Sequence, residues 1–254
     1  MAFTDQYVEA IIRLEVTLWG ARARLRADAD AEALHDLRIA VRRLRSLLVP
    51  VRRVASMGAL RDAAAQVGRL TTPSRDLEVM AEELTHRGYP NAAATRHAKL
   101  QAHYSRIAQA PALDALFKAL DRWPATFRAC KLGSDPMRLT RAVEKSLAKH
   151  FHKLHAAVED AQFDRHQLRI LVKRTRYLTE AFPQLSPLSG KGAKALKAVQ
   201  AALGAWHDHH QWCLKAEVEP DLRPLRPLWE QAQANELAQA ELALQKLKTL
   251  LPRN

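Results

Sequence analysis

Two stretches of this 254-residue chain carry the same ionisable chemistry: His-Asp-Leu-Arg-Ile-Ala-Val-Arg-Arg-Leu-Arg at 35–45 and His-Gln-Leu-Arg-Ile-Leu-Val-Lys-Arg-Thr-Arg at 166–176. Seven of the eleven positions are identical, and Arg42 against Lys173 keeps the charge. At about 100° per residue, His35, Arg38, Arg42 and Arg45 occupy a helical arc of roughly 80°, beside an apolar arc of Leu34, Leu37, Val41 and Leu44. His166, Arg169, Lys173 and Arg176 reproduce that row. Each row extends over roughly 15 Å. Arginine's planar fork bonds two phosphate oxygens at once, and each charge-assisted bond is worth about 1.5–3 kcal/mol, so such a row suits a polyanion.

A solvated helix face is the bland explanation of any single basic stripe. Segment 35–53 holds six arginines and one acid, Asp36, and like charges three or four apart cost about 0.2–0.5 kcal/mol per pair. A helix that needs only solubility intersperses Glu. The return of the same row 131 positions later, again beside an apolar seam, favours a ligand over plain solvation. A third stripe, Arg138, Arg141, Lys145, Lys149 and His152, shares one helix face at 3-4-4-3 spacing, while its counterpart around residues 7–21 is far less basic. The binding surface is therefore expected to be lopsided, with the second half contributing more charge.

The scaffold that positions these rows reads as all-α. Only 8 glycines occur and no alternating Val/Ile/Thr segment of useful length appears. Ile11, Leu14, Leu18 and Leu25 form one core stripe; Leu34, Leu37, Val41, Leu44 and Leu48 form a second. Gly58, a loop and cap at Thr71-Thr72-Pro73-Ser74, and a turn at Gly88-Tyr89-Pro90-Asn91 divide the first half. Trp123-Pro124, Gly133 and Asp135-Pro136 mark a linker over 123–135, which leaves internal repeats at about 1–122 and 136–254 within one domain, 1–254. In the second half the pattern predicts helices over 137–160, 164–182, 193–206, 207–217 and 226–251, with the longest loop from Pro183 to Gly192. Short connections favour antiparallel bundle packing in each half.

Forty Lys+Arg against 27 Asp+Glu leave a formal charge of +13, which favours nucleic acid, acidic lipid or another phosphate polymer over neutral metabolites. Cys130 and Cys213 are isolated, as in a reducing compartment, and no leader or membrane-length apolar run is visible, so a cytoplasmic protein is expected.

The duplicated H-x-L-R-I-x-V-[RK]-R-x-R segment, with Ser74-Arg75-Asp76-Leu77-Glu78-Val79 and Leu203-Gly204-Ala205-Trp206-His207-Asp208, resembles the CHAD family, the conserved histidine α-helical domain. The resemblance spans nearly the whole chain. It implies two pseudo-twofold-related helical bundles packed around a basic central pore or groove, and non-catalytic binding of inorganic polyphosphate with targeting to polyphosphate granules. Carried onto matching positions, the ligand-facing set is His35, Arg38, Arg42, Arg45, His166, Arg169, Lys173 and Arg176. Arg43, Arg174 and Tyr177 match as secondary positions, although helical geometry turns Arg43 and Arg174 off the row; Arg138, Arg141, Lys145 and Lys149 join them as secondary contacts. Thr72 stands where the second repeat has Gly204, and Arg75 where it has His207, which puts strict symmetry in doubt. Asp76 and Asp208 are read as structural, orienting an arginine or capping the next helix.

His207-Asp208-His209-His210 and Cys213 superficially form a metal set. Residues 207, 209 and 210 of a helix point in different directions, however, and neither this group nor His150, His152 and His155 is assigned a metal. No phosphate-cradling glycine loop, G-x-S-x-G or H-E-x-x-H is present, so neither enzyme activity nor a cofactor is expected. Nucleic acid is the alternative partner, since counterion release drives binding to any phosphate polymer. A content of 6% aromatics offers few stacking platforms, and the rows supply phosphate-type rather than base-reading contacts. The stripes lack an apolar face for membrane insertion.

Overall fold

The computed structural model describes residues 2–30 and 32–252. Among them α-helices follow one another without a strand: α1 (Phe3–Ala27), α2 (Ala33–Leu47), α3 (Gly58–His86), α4 (Pro90–Ala108), α5 (Pro111–Arg128), α6 (Pro136–Glu159), α7 (Arg165–Ala181), α8 (Gly190–Val218) and α9 (Arg226–Lys248). Short 3₁₀ turns at Ala55–Met57 and Pro220–Leu225 precede α3 and α9. The chain divides into two units, Met1–Val143 and Glu144–Asn254, the division falling inside α6.

In the first unit α1 packs on α2, α4 and α5, while α3 packs on α2, α4 and α5. Both expected stripes are buried, Ile11, Leu14, Leu18 and Leu25 on α1 and Leu34, Leu37, Val41, Leu44 and Leu48 on or just past α2. The Tyr7 hydroxyl donates to the Leu47 carbonyl at 2.9 Å, tying α1 to the end of α2. The Gly88 turn forms as expected. Gly88 takes φ +78°, Tyr89 N–H reaches back to Leu84 O at 2.9 Å, and Pro90 opens α4 with the fixed φ suited to a first helical residue.

Three expectations fail. Thr71-Thr72-Pro73-Ser74 is no loop, for α3 runs through Pro73 without a break. Thr71 and Ser74 are buried, and the Thr71 and Thr72 hydroxyls donate back to Val67 O and Gly68 O at 3.0 and 2.9 Å, so packing on both sides outweighs the proline's local cost. The stretch from Trp123 is likewise helical to Arg128 despite Pro124. Trp123 and Phe127 are core residues stacked at 4.9 Å, with Tyr7 beside both, and burial worth about 1.5–3 kcal/mol per large side chain offsets a helix-interior proline of about 3 kcal/mol. Finally, 193–206 and 207–217 are one helix, α8, because nothing between Trp206 and His207 breaks it.

In the second unit α8 lies between α7 and α9, and its pairing with α9 is the most extensive in the molecule. Trp212 of α8 meets Trp229 of α9 at 5.5 Å. Leu139, Val143, Leu147, Phe151 and Leu154 form the buried stripe of α6, on the side of the helix opposite Arg138, Arg141, Lys145, Lys149 and His152, all exposed.

Gly133 sits where a Cβ would fall 1.8 Å from the Phe127 carbonyl oxygen, whereas a Cβ on the helical Gly20 meets nothing within 4 Å. Gly133→Ala is expected to destabilise by about 2–4 kcal/mol, and Gly20→Ala to stabilise by about 0.5–1 kcal/mol; urea unfolding of both variants measures the contrast.

Candidate functional site

In the first unit α2 sets its basic row against the middle of α3. His35, Arg38 and Arg42 are half-buried, while Arg43 and Arg45 are exposed. Arg38 donates to Thr71 Oγ1 at 2.8 Å and Thr72 Oγ1 at 3.4 Å, hydroxyls that α3 already fixes against its own carbonyls. Burial pulls the Arg38 pKa down; Asp76 and Glu78 oppose that fall, while Arg75 and Arg42 deepen it. A guanidinium keeps its charge under such a shift. Gly68 gives Arg45 room, since a Cβ there would lie 3.0 Å from Arg45 Nη1.

Arg75 extends this cluster from α3. Its Nη1 is 3.0 Å from Glu78 Oε2 and 3.7 Å from Glu82 Oε1. Glu78 is buried and also accepts from Tyr104 of α4 at 2.7 Å, and burial together with that carboxylate pushes the Tyr104 hydroxyl pKa up. Asp76 is exposed and caps nothing, because α3 continues to His86; its charge acts on Arg38. Asp208 likewise lies inside α8 rather than at a helix end. The capping role expected of these acids is thus excluded by helices longer than the sequence suggested.

In the second unit Asp164 caps α7, accepting from Gln167 N–H at 2.8 Å. His166, Lys173 and Arg174 are exposed, and Arg169, Arg176 and Tyr177 half-buried. Arg176 Nε is 3.0 Å from Glu180 Oε1, and its guanidinium carbon sits 5.0 Å over the Tyr177 ring, so these two are engaged with each other. The His166 ring lies 5.0 Å from the His207 ring of α8. His207 is driven down to about 4, first by burial, then by the charges of Arg169, His166, His210 and Lys173. Its Nδ1 is buried with no hydrogen-bond partner among the described groups. Burial is the largest cause of this shift, and the Arg169 and Lys173 charges add a positive field to it.

A family model of the CHAD domain matches residues 10–214. The chain belongs to the CHAD domain family. A crystal structure of the CHAD domain from the plant Ricinus communis resembles it with a TM-score of 0.61 at 22% identity, covering 99% of this chain and 92% of that one; at that identity the likeness shows the fold. A search of curated proteins gives no match.

Within this CHAD domain the α7 row thus meets His207 of α8, a residue outside the expected ligand-facing set. Arg75 and His207 stand in the family-like segments and at corresponding places of the repeat without being assigned to the ligand-facing set, and His210 belongs to the metal-like string alone. The signal that could have found His207 is the repeat itself, since it stands 132 positions after Arg75 and its ring meets that of His166. The histidines of the string diverge as helical geometry requires. His207 turns to α7, His209 Nδ1 meets Glu236 Oε2 at 2.7 Å, and His210 lies parallel to Trp206 at 6.1 Å. On α6, His150 and His155 bond the Ser146 and Pro252 carbonyls at 2.7 and 2.6 Å. Among the described residues no three His, Cys, Asp or Glu are grouped to hold a metal ion, and no helix is long and apolar enough to cross a membrane.

The His207 shift carries a stability consequence. The unfolded chain takes up a proton near pH 6.5 while the folded ring resists until about 4, so stability falls as pH drops through that window. Discounted for partial exposure, the expected loss is about 1–2 kcal/mol between pH 7 and pH 4. Urea unfolding at both pH values checks it: His207→Gln should lose less than wild type over the same interval.

Proposed function

We propose that this CHAD domain binds inorganic polyphosphate through His35, Arg38, Arg42 and Arg45 on α2 and His166, Arg169, Lys173 and Arg176 on α7, without catalysing a reaction on it. The observation that carries the reading is His207, whose ring lies 5.0 Å from that of His166: burial first and then neighbours that include Arg169 and Lys173 lower its pKa, and an anion chain laid on the α7 row would relieve the electrostatic part of that shift. Arg75 and His207 are added to the ligand-facing set from α3 and α8. Arg43, Arg174 and Tyr177, and the exposed α6 stripe of Arg138, Arg141, Lys145 and Lys149, act as secondary contacts. The basic pore or groove that the family resemblance implies, and the pseudo-twofold relation of the two bundles, belong to this proposal, as does recruitment to cytoplasmic polyphosphate granules.

A polymer, unlike a single phosphate, carries enough charges to engage both rows at once, so affinity should grow with chain length. Nucleic acid shares that electrostatics but also asks for stacking surfaces. Trp123, Trp212 and Trp229 are buried, Trp19 has one face on Phe117 and Trp206 lies against His210, and Tyr177 has Arg176 on its ring, which favours the bare phosphate chain.

Titration of long polyphosphate into wild type and Arg42→Glu/Lys173→Glu at about 150 mM salt tests the reading. The charge-reversed protein should stay folded, lose at least about 100-fold in affinity, and show a log–log salt slope shallower by about 1–2. Unchanged affinity, displacement of polyphosphate by DNA at matched phosphate concentration, or steady release of inorganic phosphate would each overturn it.

Lowering the pH should also strengthen binding, because a bound anion raises the His207 pKa from about 4 and proton uptake then accompanies binding. Calorimetry in buffers of different ionisation heat should show that uptake near pH 6 in wild type and a smaller one in His207→Gln.

A further inference from the structure

The last arginine of each row is held differently, and the difference starts from one residue of the helix beneath it. On α3 a Cβ at Gly68 would meet Arg45 Nη1 at 3.0 Å and Cζ at 3.9 Å, so the guanidinium lies across the α3 backbone in space that a side chain would take. The repeat puts Arg176, 131 positions on, at the place of Arg45, and Gln200, 132 positions on, at the place of Gly68. Gln200 shares the helical arc of Leu196, Leu203 and His207 on α8, and His207 meets His166 of α7. Gln200 therefore faces α7. The space that receives Arg45 in the first unit is given to an amide side chain in the second.

Arg176 is turned elsewhere. Its Nε stands 3.0 Å from Glu180 Oε1 and its Nη2 3.4 Å from Oε2, while its guanidinium carbon sits over the Tyr177 ring. The pair is loosely made, since Nε has no hydrogen-bond geometry toward that oxygen. Its two ends differ in exposure, 17% for the Arg176 side chain and 53% for that of Glu180. The carboxylate can move into water at little cost, whereas the guanidinium leaves it only for another acceptor. Such acceptors stand on the seam between α7 and α8. Gln200 Oε1 and, one residue before Arg176, Thr175 Oγ1 are buried without a hydrogen-bond partner among the described residues, where the first unit has Gly68 and Leu44. A buried unpaired acceptor costs free energy, and a guanidinium has N–H donors enough to serve both oxygens and a ligand.

We propose that Arg176 has two positions, withheld from the row by Glu180 in the free protein and laid on the α7–α8 seam beside Gln200 and Thr175 when an anion chain occupies the row. Gly68 and Gln200 are then the positioning residues that decide readiness. Gly68 keeps Arg45 presented, while Gln200 denies its counterpart the same pose and offers an acceptor in its place. A bound phosphate supplies the negative charge that Glu180 gives up, and release carries that carboxylate away from the anion. The inference rests on the polyphosphate reading of the α7 row and adds a gate to it.

The test titrates long polyphosphate at about 150 mM salt into the full chain and into Arg45→Ala, Arg176→Ala, Glu180→Gln and Glu180→Gln/Arg176→Ala, each checked for an unchanged melting transition. Glu180→Gln should bind about two- to fivefold more tightly than wild type. Arg176→Ala should cost about tenfold in the Glu180→Gln background and clearly less in wild type, where Arg45→Ala costs about tenfold. This cycle separates release of Arg176 from the mere loss of a negative charge, which would strengthen binding with or without Arg176. The Arg176 Nε–H NMR signal gives a second measure: polyphosphate should shift it in wild type toward its position in free Glu180→Gln, and Gln200→Leu should abolish that shift. Equal cost of Arg176→Ala in both backgrounds, weaker binding by Glu180→Gln, or a shift that survives Gln200→Leu overturns the proposal. Absence of polyphosphate binding by wild type and Glu180→Gln alike overturns the polyphosphate reading instead, and the ligand-free spectra of Glu180→Gln with and without Gln200→Leu then decide whether Arg176 has its second position.

Discussion

Cations of one sign crowd on α2 and again on α7, and something must hold them there against their own repulsion. That constraint is met by the seam directly beneath each row. Leu34, Leu37, Val41 and Leu44 are almost wholly buried, as are Leu168, Val172 and Leu178, and each such side chain supplies about 1.5–3 kcal/mol, against a few tenths per like-charge pair. The apolar arc therefore dictates where the helix lies, and the basic row, fixed one arc away, has no freedom to turn elsewhere. A charged surface is obtained as a by-product of core packing, which is why the two arcs have to be adjacent in the sequence pattern.

The two units solve the same local problem with different residues. In the first, the row is steadied by groups that accept from it: Arg38 donates to the Thr71 and Thr72 hydroxyls and feels Asp76 and Glu78, while Arg75 is anchored by Glu78. In the second, His207 takes the place of Arg75 and carries no charge at neutral pH. Replacing one fixed cation by an imidazole makes the surroundings of the α7 row sensitive to protonation. A change of one residue type at equivalent helical positions thus separates a permanent positive cluster from a titratable one.

The all-helical class, the turn at Gly88, the stripes of α1 and α2 and the bounds of α6, α7 and α9 were legible because periodicity and punctuation agreed there. Legibility failed where proline or a sharp change in composition was read as punctuation while the structure decided otherwise. Pro73 and Pro124 lie inside helices whose flanking Thr71, Ser74, Trp123 and Phe127 are buried; local propensity carries no information about burial that depends on distant helices. The row residues themselves follow from spacing along one helix. Arg75, His207 and His210 did not, since they reach the rows from the following long helix, and which of its faces meets α2 or α7 is set by packing between helices rather than by either pattern alone.

The same distinction explains why charge totals mislead about particular faces. A formal charge of +13 suggests a uniformly basic surface, yet α1 pairs Arg13, Arg22 and Arg24 with acids and leaves Glu15 facing Asp121. On α2 the threonine hydroxyls that receive Arg38 carry no charge, and Asp76 and Glu78 act on it through space rather than as hydrogen-bond partners. Ion pairing on one helix and dipolar hydrogen bonding on its neighbour therefore sort the same residue type into two roles within a single unit. On α1 the arginines that meet carboxylates serve as scaffold and on α2 Arg38, received by hydroxyls, keeps its field, while Arg75 and Arg176, each paired with an acid, stand between the two. Reading which acceptor each guanidinium finds is thus more informative about function than counting guanidinium groups, and only the folded chain supplies that reading.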